Sequence, residues 1–274
     1  LHESPAVAPR PLACQKAGHD EPRLSALPRH LRMKEFIRRS LRRAGYDLHR
    51  FVPTSSPDAQ LAQVLKTFGI DLVLDIGANT GQYGASLREI GYRGRIVSFE
   101  PLVTAWPALV AACAGDPRWT AAPRSAIGDH DGEITINIAG NSASSSVLPM
   151  LDSHRDAAPH SAYIGTDVVP IARLDSAAAA FTDDAARLFI KIDTQGYETQ
   201  VLAGGPATIA AAAAVQVEMS LIPLYDGQPA FDAMLALMAG HGLVLWSLWP
   251  GFADPANGRI LQAEGIFVRP ERAI

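Results

Sequence analysis

The stretch LVLDIGANTGQYG, residues 72–84, constrains the fold of this chain more than any other. A run of apolar residues ends in Asp75, passes through Gly77, Ala78, Asn79, Thr80 and Gly81, and then takes on a helical pattern. A strand that feeds a tight glycine turn and opens a helix is the first half of a βαβ unit. Gly77 and Gly81 are expected where a side chain would block a ligand from approaching the backbone. The amides that open the next helix present N–H groups and a positive dipole end, which suits a phosphate or a carboxylate. The spacing is G-x-x-x-G. A nicotinamide-binding turn prefers G-x-G-x-x-G, and Asn79 stands where its middle glycine would be. The phosphate-cradling G-x-x-x-x-G-K-[ST] is absent.

Downstream the pattern alternates strand and helix, as in a mostly parallel sheet covered on both faces. GRIVSFEP reads as the second strand, and TAWPALVAACAG as the second helix. WTAAPRSAIGD reads as one third strand running into a turn, and GEITINIAG and TDVVPIARLDS as further strands. RLFIKIDTQG and AAVQVEMSLIP are buried strands, PAFDAMLALMAGHG is a helix, LVLWSLWPGF follows it, and RILQAEGIFVR closes the sheet. Glu100 ends the second strand about twenty residues beyond Gly81, where an acid can accept both hydroxyls of a ribose. Asp75, Gly77, Gly81 and Glu100 together describe a nucleoside ligand whose remaining part carries charged groups. S-adenosylmethionine fits that description. A nicotinamide-dependent oxidoreductase is the rival from another class, and a non-catalytic scaffold is the third.

The remaining composition narrows the class. A formal net charge of −4 over 274 residues gives no global reason to bind nucleic acid. Cys14 and Cys113 lie far apart without metal-ligand spacing, so neither a disulfide framework nor a zinc site is expected. No apolar run approaches a membrane span, and residues 1–23 lack the pattern of a signal peptide, so the sequence reads as cytoplasmic. Residues 1–54 are expected to form a poorly ordered arm (1–28) followed by a basic amphipathic helix (29–51), and residues 55–274 the catalytic domain. Residues 29–50 place Arg and Lys opposite an apolar stripe. The segment reads either as a helix packed on the core or as a contact with an anionic membrane or lipid-linked substrate.

The blocks VLDIGANTGQYGASLREIGYRGRIVSFEPL, AIGDHDGEITINIAGNSASSSVLPM, LFIKIDTQGYETQVLAG, VEMSLIPLYDGQ and LQAEGIFVR occur in that order. Over residues 71–269 they resemble the FkbM-type methyltransferases. The resemblance implies a class I, Rossmann-like α/β fold: a mostly parallel seven-stranded sheet flanked by helices, here with an N-terminal helical extension. It also implies S-adenosylmethionine-dependent methylation of an oxygen on a sugar, macrolide, lipid or related product. Matched position by position, Asp75, Gly77, Asn79 and Gly81 form the first cofactor motif, and Glu100 is the ribose acid. SAIGD supplies the adenine turn, with Ile127 on the ring face and Ala126 or Asp129 at its polar edge. Asp129 is also explained by the turn GDHDG alone. The Asn/Asp-Pro-Pro-aromatic box common in N-methyltransferases is missing, which favours a hydroxyl acceptor, glycosyl before macrolide.

Removing a hydroxyl proton calls for a base or a metal. Ligands of open α/β sheets bind beyond the carboxyl ends of the strands, which points to Asp193 and Glu218. Asp193 is the first choice for the base, with capping of the next helix as its structural rival and Lys191 as a possible ion-pair partner. The Asp193–Glu218 pair is also a candidate Mg²⁺ site. The long loop of residues 140–165 reads as a lid, with Ser144, Ser145 and Ser146 as donors to a polyhydroxylated acceptor and His154 as a second candidate base. His160 and Tyr163 are weaker candidates. Glu198 and Tyr225 are expected to face the acceptor, with Asp226 beside them. A homo-oligomer is compatible with the sequence.

Overall fold

The computed structural model describes residues 29–183 and 186–273, with side chains from residue 33 onward. The expected arm, residues 1–28, lies outside the described residues. The chain divides into two compact units, Leu1–Arg50 and Phe51–Ile274. In the first, the basic segment forms helix α1 (Arg29–Arg43) and ends before the expected residue 51. Met33, Phe36 and Ile37 on this helix are exposed.

The second unit opens with α2 (Pro57–Thr67), whose start has ordinary capping chemistry. Ser56 accepts the Ala59 N–H, Pro57 occupies the first turn, and Asp58 meets the positive dipole end. Then follow β1 (Leu72–Ile76), α3 (Gln82–Glu89), β2 (Arg95–Phe99), α4 (Trp106–Cys113), β3 (Trp119–Ala121), β4 (Ala126–Gly128) and β5 (Gly132–Ala139). The long loop carries α5 (Asp152–Ala157), and β6 (Tyr163–Arg173), α6 (Leu174–Ala178) and β7 (Leu188–Ile192) come after it. The order finishes with α7 (Glu198–Gly204), α8 (Pro206–Ala211), β8 (Ala214–Ser220), α9 (Phe231–Gly240), β9 (Val244–Pro250) and β10 (Gln262–Val268).

Among the described residues seven strands form one sheet in the order β3-β2-β1-β7-β8-β10-β9. The first five pair in parallel, and β10 runs antiparallel between β8 and β9. This is the class I fold the resemblance implies. WTAAPRSAIGD is not one strand. It splits at Pro123 into β3 of the large sheet and β4 of a separate three-stranded sheet, β4-β6-β5. Proline has no N–H to continue a ladder, so the chain leaves the first sheet there.

Side chains alternate across the large sheet and feed two cores. Leu72, Leu74, Ile190, Val215 and Val217 pack with Val201, Ile209 and Met234 of α7, α8 and α9 on one face. Val73, Phe189 and Ile266 pack with Leu61 and Val64 of α2 and Leu87 of α3 on the other. The same alternation puts Asp75, Lys191, Gln216, Glu218, Gln262 and Glu264 on the second face, towards the carboxyl ends of the parallel strands. The sheet order reverses at β1, between β2 and β7, and the site lies at that switch point.

Candidate functional site

The turn after β1 is packed tightly against the protein around it. Gly77 has φ +83°, and a Cβ there would overlap the carbonyl oxygen of Asp193 at the end of β7. Gly81 has φ +92° and begins α3 in the left-handed region; a Cβ would press on Leu109, Ala112 and Trp119. Both glycines are required by close protein neighbours, and Gly77 also lines the cleft. Gly81 does not line the cleft. Asp75 does not line it either. It is fully buried behind the turn, Oδ2 accepts the Ser98 hydroxyl at 3.0 Å, and Oδ1 lies 3.8 Å from Lys191 Nζ. Burial raises its pKa above the ordinary aspartate range.

Beside the turn opens a cleft of about 590 Å³, within the range of small-molecule sites. At one end Glu100 is buried among backbone donors. Its Oε2 accepts the Asn79 N–H and its Oε1 the Leu102 N–H, each at 2.8 Å. Burial outweighs those bonds and pushes its pKa up to about 7. A carboxylate oxygen has two lone pairs, so each still offers a place to a hydroxyl donor. Asn79 (φ +48°) lines the cleft, and its amide donates to the Ser142 hydroxyl at 3.2 Å, tying the turn to the long loop. Ala126 and Ile127 form an apolar wall next to Glu100, placed for a flat ring. Asp129 does not line the cleft. It pairs with His130 at 2.7 Å on an exposed turn, which lowers its pKa.

The other end is a side-chain network. The Asp193 N–H donates to Ile76 O at 3.1 Å, which fixes this residue against the β1 turn. Its Oδ2 takes a hydrogen bond from Lys191 Nζ at 3.0 Å, and its Oδ1 one from Gln195 Nε2 at 2.7 Å. Lys191 is buried and lies 5.3 Å from the centre of the Tyr83 ring. Burial opposes its charge, but Asp193, Asp75 and Glu264 more than compensate and hold its pKa above the ordinary lysine value. Gln195 also donates to Glu218 Oε2 at 3.0 Å, which accepts Gln262 Nε2 at 2.6 Å. Gln216 donates to Glu264 at 3.0 Å and accepts the Tyr83 hydroxyl at 2.8 Å. Burial, then repulsion from Asp193, Glu264 and Glu198, raises Glu218 well above the glutamate range; burial and Asp193 also raise Glu264. Carboxylate oxygens of Asp193, Glu218 and Glu264 converge within 4.8 Å of one another, an oxygen donor set of the kind Mg²⁺ takes. The Lys191 ammonium already serves that cluster.

The structure separates the other expected residues. Asp193 does not cap the next helix. The helix start has no side-chain cap at Tyr197; Glu198 Oε1 instead accepts the Thr194 and Gly196 N–H groups of the preceding turn, each at 3.0 Å. Glu198 is buried, lines neither cavity described here, and burial raises its pKa to about 7. Ser145 Oγ accepts the Ala139 N–H, and Ser146 Oγ donates to Gln195 O at 2.6 Å, so these two hydroxyls brace the loop. Ser144 Oγ accepts from Asn141 at 2.9 Å and borders a second cavity of about 380 Å³. His154 lies in that second cavity rather than in the cleft. Its ring meets Tyr225 edge-on, centroids 5.2 Å apart, and Phe252 at 5.4 Å. Burial lowers its pKa to about 4. Tyr225 is fully buried and donates to Gln195 Oε1 at 2.7 Å, while the Tyr163 hydroxyl donates to Leu148 O. His160 also borders the second cavity.

Sequence reasoning passed over Gln195, Gln216, Gln262, Glu264 and Tyr83. The signal was present: VQVEMS and LQAEGIF each set Gln and Glu two residues apart inside an apolar strand. That spacing puts both on one face, where burial demands partners.

The site accommodates S-adenosylmethionine: hydroxyl acceptors remain on Glu100, an apolar wall adjoins it, and carboxylates face the opposite end. Among solved structures, the chain is similar to a S-adenosylmethionine-dependent methyltransferase from Mesorhizobium loti, with 9% identity and TM-score 0.43 over 80% of this chain and 100% of that one. It is similar to Aeropyrum pernix fibrillarin with bound S-adenosyl-L-methionine, at 12% identity and TM-score 0.36 over 76% and 74%. It is also similar to precorrin-6y C5,15-methyltransferase from Geobacter metallireducens, at 9% identity and TM-score 0.40 over 77% and 86%. A comparison with curated proteins finds no match. The profile of the methyltransferase FkbM domain matches residues 75–245, more than half of the chain, from within β1 into β9. The chain therefore belongs to the FkbM methyltransferase family, and S-adenosylmethionine is its methyl donor.

Proposed function

We infer that this methyltransferase acts on a hydroxyl group, a glycosyl hydroxyl before any other, and that Asp193 takes the proton. The observation that carries this reading is the position of Asp193. It stands at the end of β7, bonded through its backbone to β1 beside the glycine turn, with its carboxylate on the cleft wall. Bound S-adenosylmethionine supplies a methyl group on positively charged sulfur, which leaves as a neutral thioether. The chain is left with two tasks: orienting the acceptor oxygen and receiving its proton as the new C–O bond forms. Lys191 and Gln195 hold the two Asp193 oxygens in place for this. Because the Lys191 charge already balances the carboxylates around it, we read the reaction as independent of a divalent cation.

The test is incubation with methyl-labelled S-adenosylmethionine and a cell extract, followed by mass spectrometry of what gains the label. A labelled glycoside hydroxyl supports the reading; label on nitrogen or carbon refutes it. Calorimetry with S-adenosylhomocysteine and with NADH separates the methyltransferase from the nicotinamide alternative.

Helix α1 carries seven Arg and Lys against the single acid Glu35, beside exposed Met33, Phe36 and Ile37. We assign it to an anionic lipid surface, where basic side chains meet headgroups and the apolar stripe enters the interface. Co-sedimentation with phosphatidylglycerol vesicles that is lost in high salt supports this; equal binding to neutral vesicles refutes it. Among the described residues no helix is long and apolar enough to cross a membrane.

A further inference from the structure

We propose that the second cavity is the acceptor's subsite, that it takes one neutral sugar ring, and that Gln195 is the partition through which the acceptor hydroxyl reaches Asp193. This rests on the O-methyltransferase reading and deepens it.

The first ground is connectivity. Gln195 and Ala143 line both cavities. The Gln195 amide nitrogen touches Asp193 of the cleft at 2.7 Å and Glu218 of the second cavity at 3.0 Å. A single side chain thus separates the candidate base from the second cavity. Its hydrogen bonds are ones an incoming hydroxyl can replace, since a hydroxyl also donates to a carboxylate. The partition sits on unusual backbone. Gln195 has φ +55°, in the left-handed region that a non-glycine residue seldom adopts, and Gly196 follows at φ +100°. Such strain persists where surrounding contacts enforce it. Here the Tyr225 hydroxyl holds Gln195 Oε1 at 2.7 Å and Ser146 Oγ holds its carbonyl at 2.6 Å.

The second ground is the chemistry of the walls. Phe252 offers an aromatic face, and Asn141, Ser144, Gln262 and Glu218 offer donors and acceptors around it. Among the described residues bordering the cavity there is no Arg or Lys. His154, His160 and Glu218 also border it. A phosphorylated or carboxylated acceptor would bring its charge there without a lysine or arginine to pair it, which disfavours such acceptors. His154 is 3% exposed, and its Nδ1 has no hydrogen-bond partner among the described residues. Orphaned buried polar atoms are rare, and a ligand hydroxyl would satisfy this one. The volume, about 380 Å³, falls at the low end for small-molecule sites, which suits a single ring better than a macrolide.

The test uses the full chain saturated with S-adenosylhomocysteine. Methyl glycosides of glucose, galactose, mannose and rhamnose are titrated by saturation-transfer NMR. At least one is expected to bind. Ala253→Trp, which fills the cavity from a partly exposed wall, should weaken that binding at least tenfold while the S-adenosylhomocysteine affinity stays within twofold. If Ala253→Trp does not fold, Phe252→Leu removes the aromatic face and should give the same loss. Binding to none of the glycosides, or binding undiminished in the folded variant, overturns the proposal. Failure of the earlier reading looks different: S-adenosylhomocysteine itself does not bind, or label reaches no oxygen, whatever the glycosides do.

Discussion

At the Glu100 end of the cleft the polar surface is made by backbone, whereas at the Asp193 end it is made by side chains. Glu100 is clamped by two main-chain amides from the glycine turn and the segment after β2, and those amides have nowhere to go. Asp193 is held by Lys191 and Gln195, and Gln195 in turn by Tyr225 and Glu218. A backbone clamp is set by chain geometry and suits a ligand that never changes, as the proposed cofactor role of Glu100 requires. A side-chain network can exchange partners by rotating one amide, and on the function proposed above it would serve the half of the reaction where a proton must move and an acceptor must enter.

Breaking the network should produce the largest effect. Asp193→Asn keeps the size and the Gln195 contact but removes the proton acceptor, so the rate of methyl transfer should fall about 10²–10⁴-fold. The affinity for S-adenosylhomocysteine should change little, as calorimetry will show. A variant that transfers methyl groups at the wild-type rate would move the base elsewhere.

Breaking the clamp should act on binding instead. In Glu100→Gln one amide loses its acceptor and the ligand loses a charged partner, so the affinity for S-adenosylhomocysteine should drop roughly 10–100-fold, the equivalent of about 1.5–3 kcal/mol. The same carboxyl gives wild-type binding a pH dependence. Its pKa in the free protein is about 7, and hydroxyl donors favour the ionised form, so binding releases a proton. Affinity should therefore rise with pH from 6 to 8, and that rise should vanish in Glu100→Gln.

The contrast also explains what could be read from residue order. The glycine turn, Glu100 and the strands around them were legible because each is local: a turn needs glycine at two positions, and the acid follows one strand later. Asp193 and Glu218 were legible as acids at the ends of apolar runs. Their partners were not. Gln262 and Glu264 reach Glu218 only because β10 inserts antiparallel beside β8, and no local pattern announces that register. The place of His154 in the second cavity was not legible for a related reason: it lies on the long loop, whose path against Tyr225 and Phe252 depends on tertiary packing. Gly81 and Asp129, singled out by motif position, do not line the cleft: Gly81 packs against Leu109, Ala112 and Trp119, and Asp129 sits in the turn that the sequence also offered for it.

A smaller effect tests the cost of burying acids around the site. Glu198 has a folded pKa of about 7 against an ordinary 4.5, so the folded state holds its proton more tightly. Its contribution is fully present below pH 4.5 and is lost as pH rises through 7, at most about 3 kcal/mol. His154, lowered from 6.5 to about 4, works in the opposite sense, its contribution being present above 6.5 and lost towards 4. Glu100, Glu198, Glu218 and Glu264 together outweigh one histidine, so thermal stability should be higher at pH 5.5 than at pH 8. Glu198→Gln keeps an acceptor for the turn amides and should shrink that difference by roughly 2 kcal/mol. An unchanged difference would mean that Glu198 is ionised in the folded protein.

The least effect is expected from removing divalent cations, and its smallness is itself informative about the network. Three carboxylate groups within reach of one another usually invite a cation, and Asp193, Glu218 and Glu264 have that arrangement. Lys191, 3.0 Å from Asp193, supplies one positive charge from within the chain. Burial and the neighbouring carboxylates raise the pKa of Glu218 and Glu264, which disfavours gathering negative charge there, and the Gln195 and Gln262 amides occupy Glu218 Oε2. A cation entering here must displace the ammonium and those amides, both unfavourable in a buried site. EDTA should therefore leave the methyl-transfer rate within twofold of its starting value. Lys191→Met should change the result, because the carboxylates then face one another without their counter-charge. In that variant Mg²⁺ should raise the thermal midpoint where it does not in the wild type. Loss of wild-type activity in EDTA, restored by Mg²⁺, would show that Lys191 yields its place, and the acceptor end would then be a metal site rather than a lysine-balanced one.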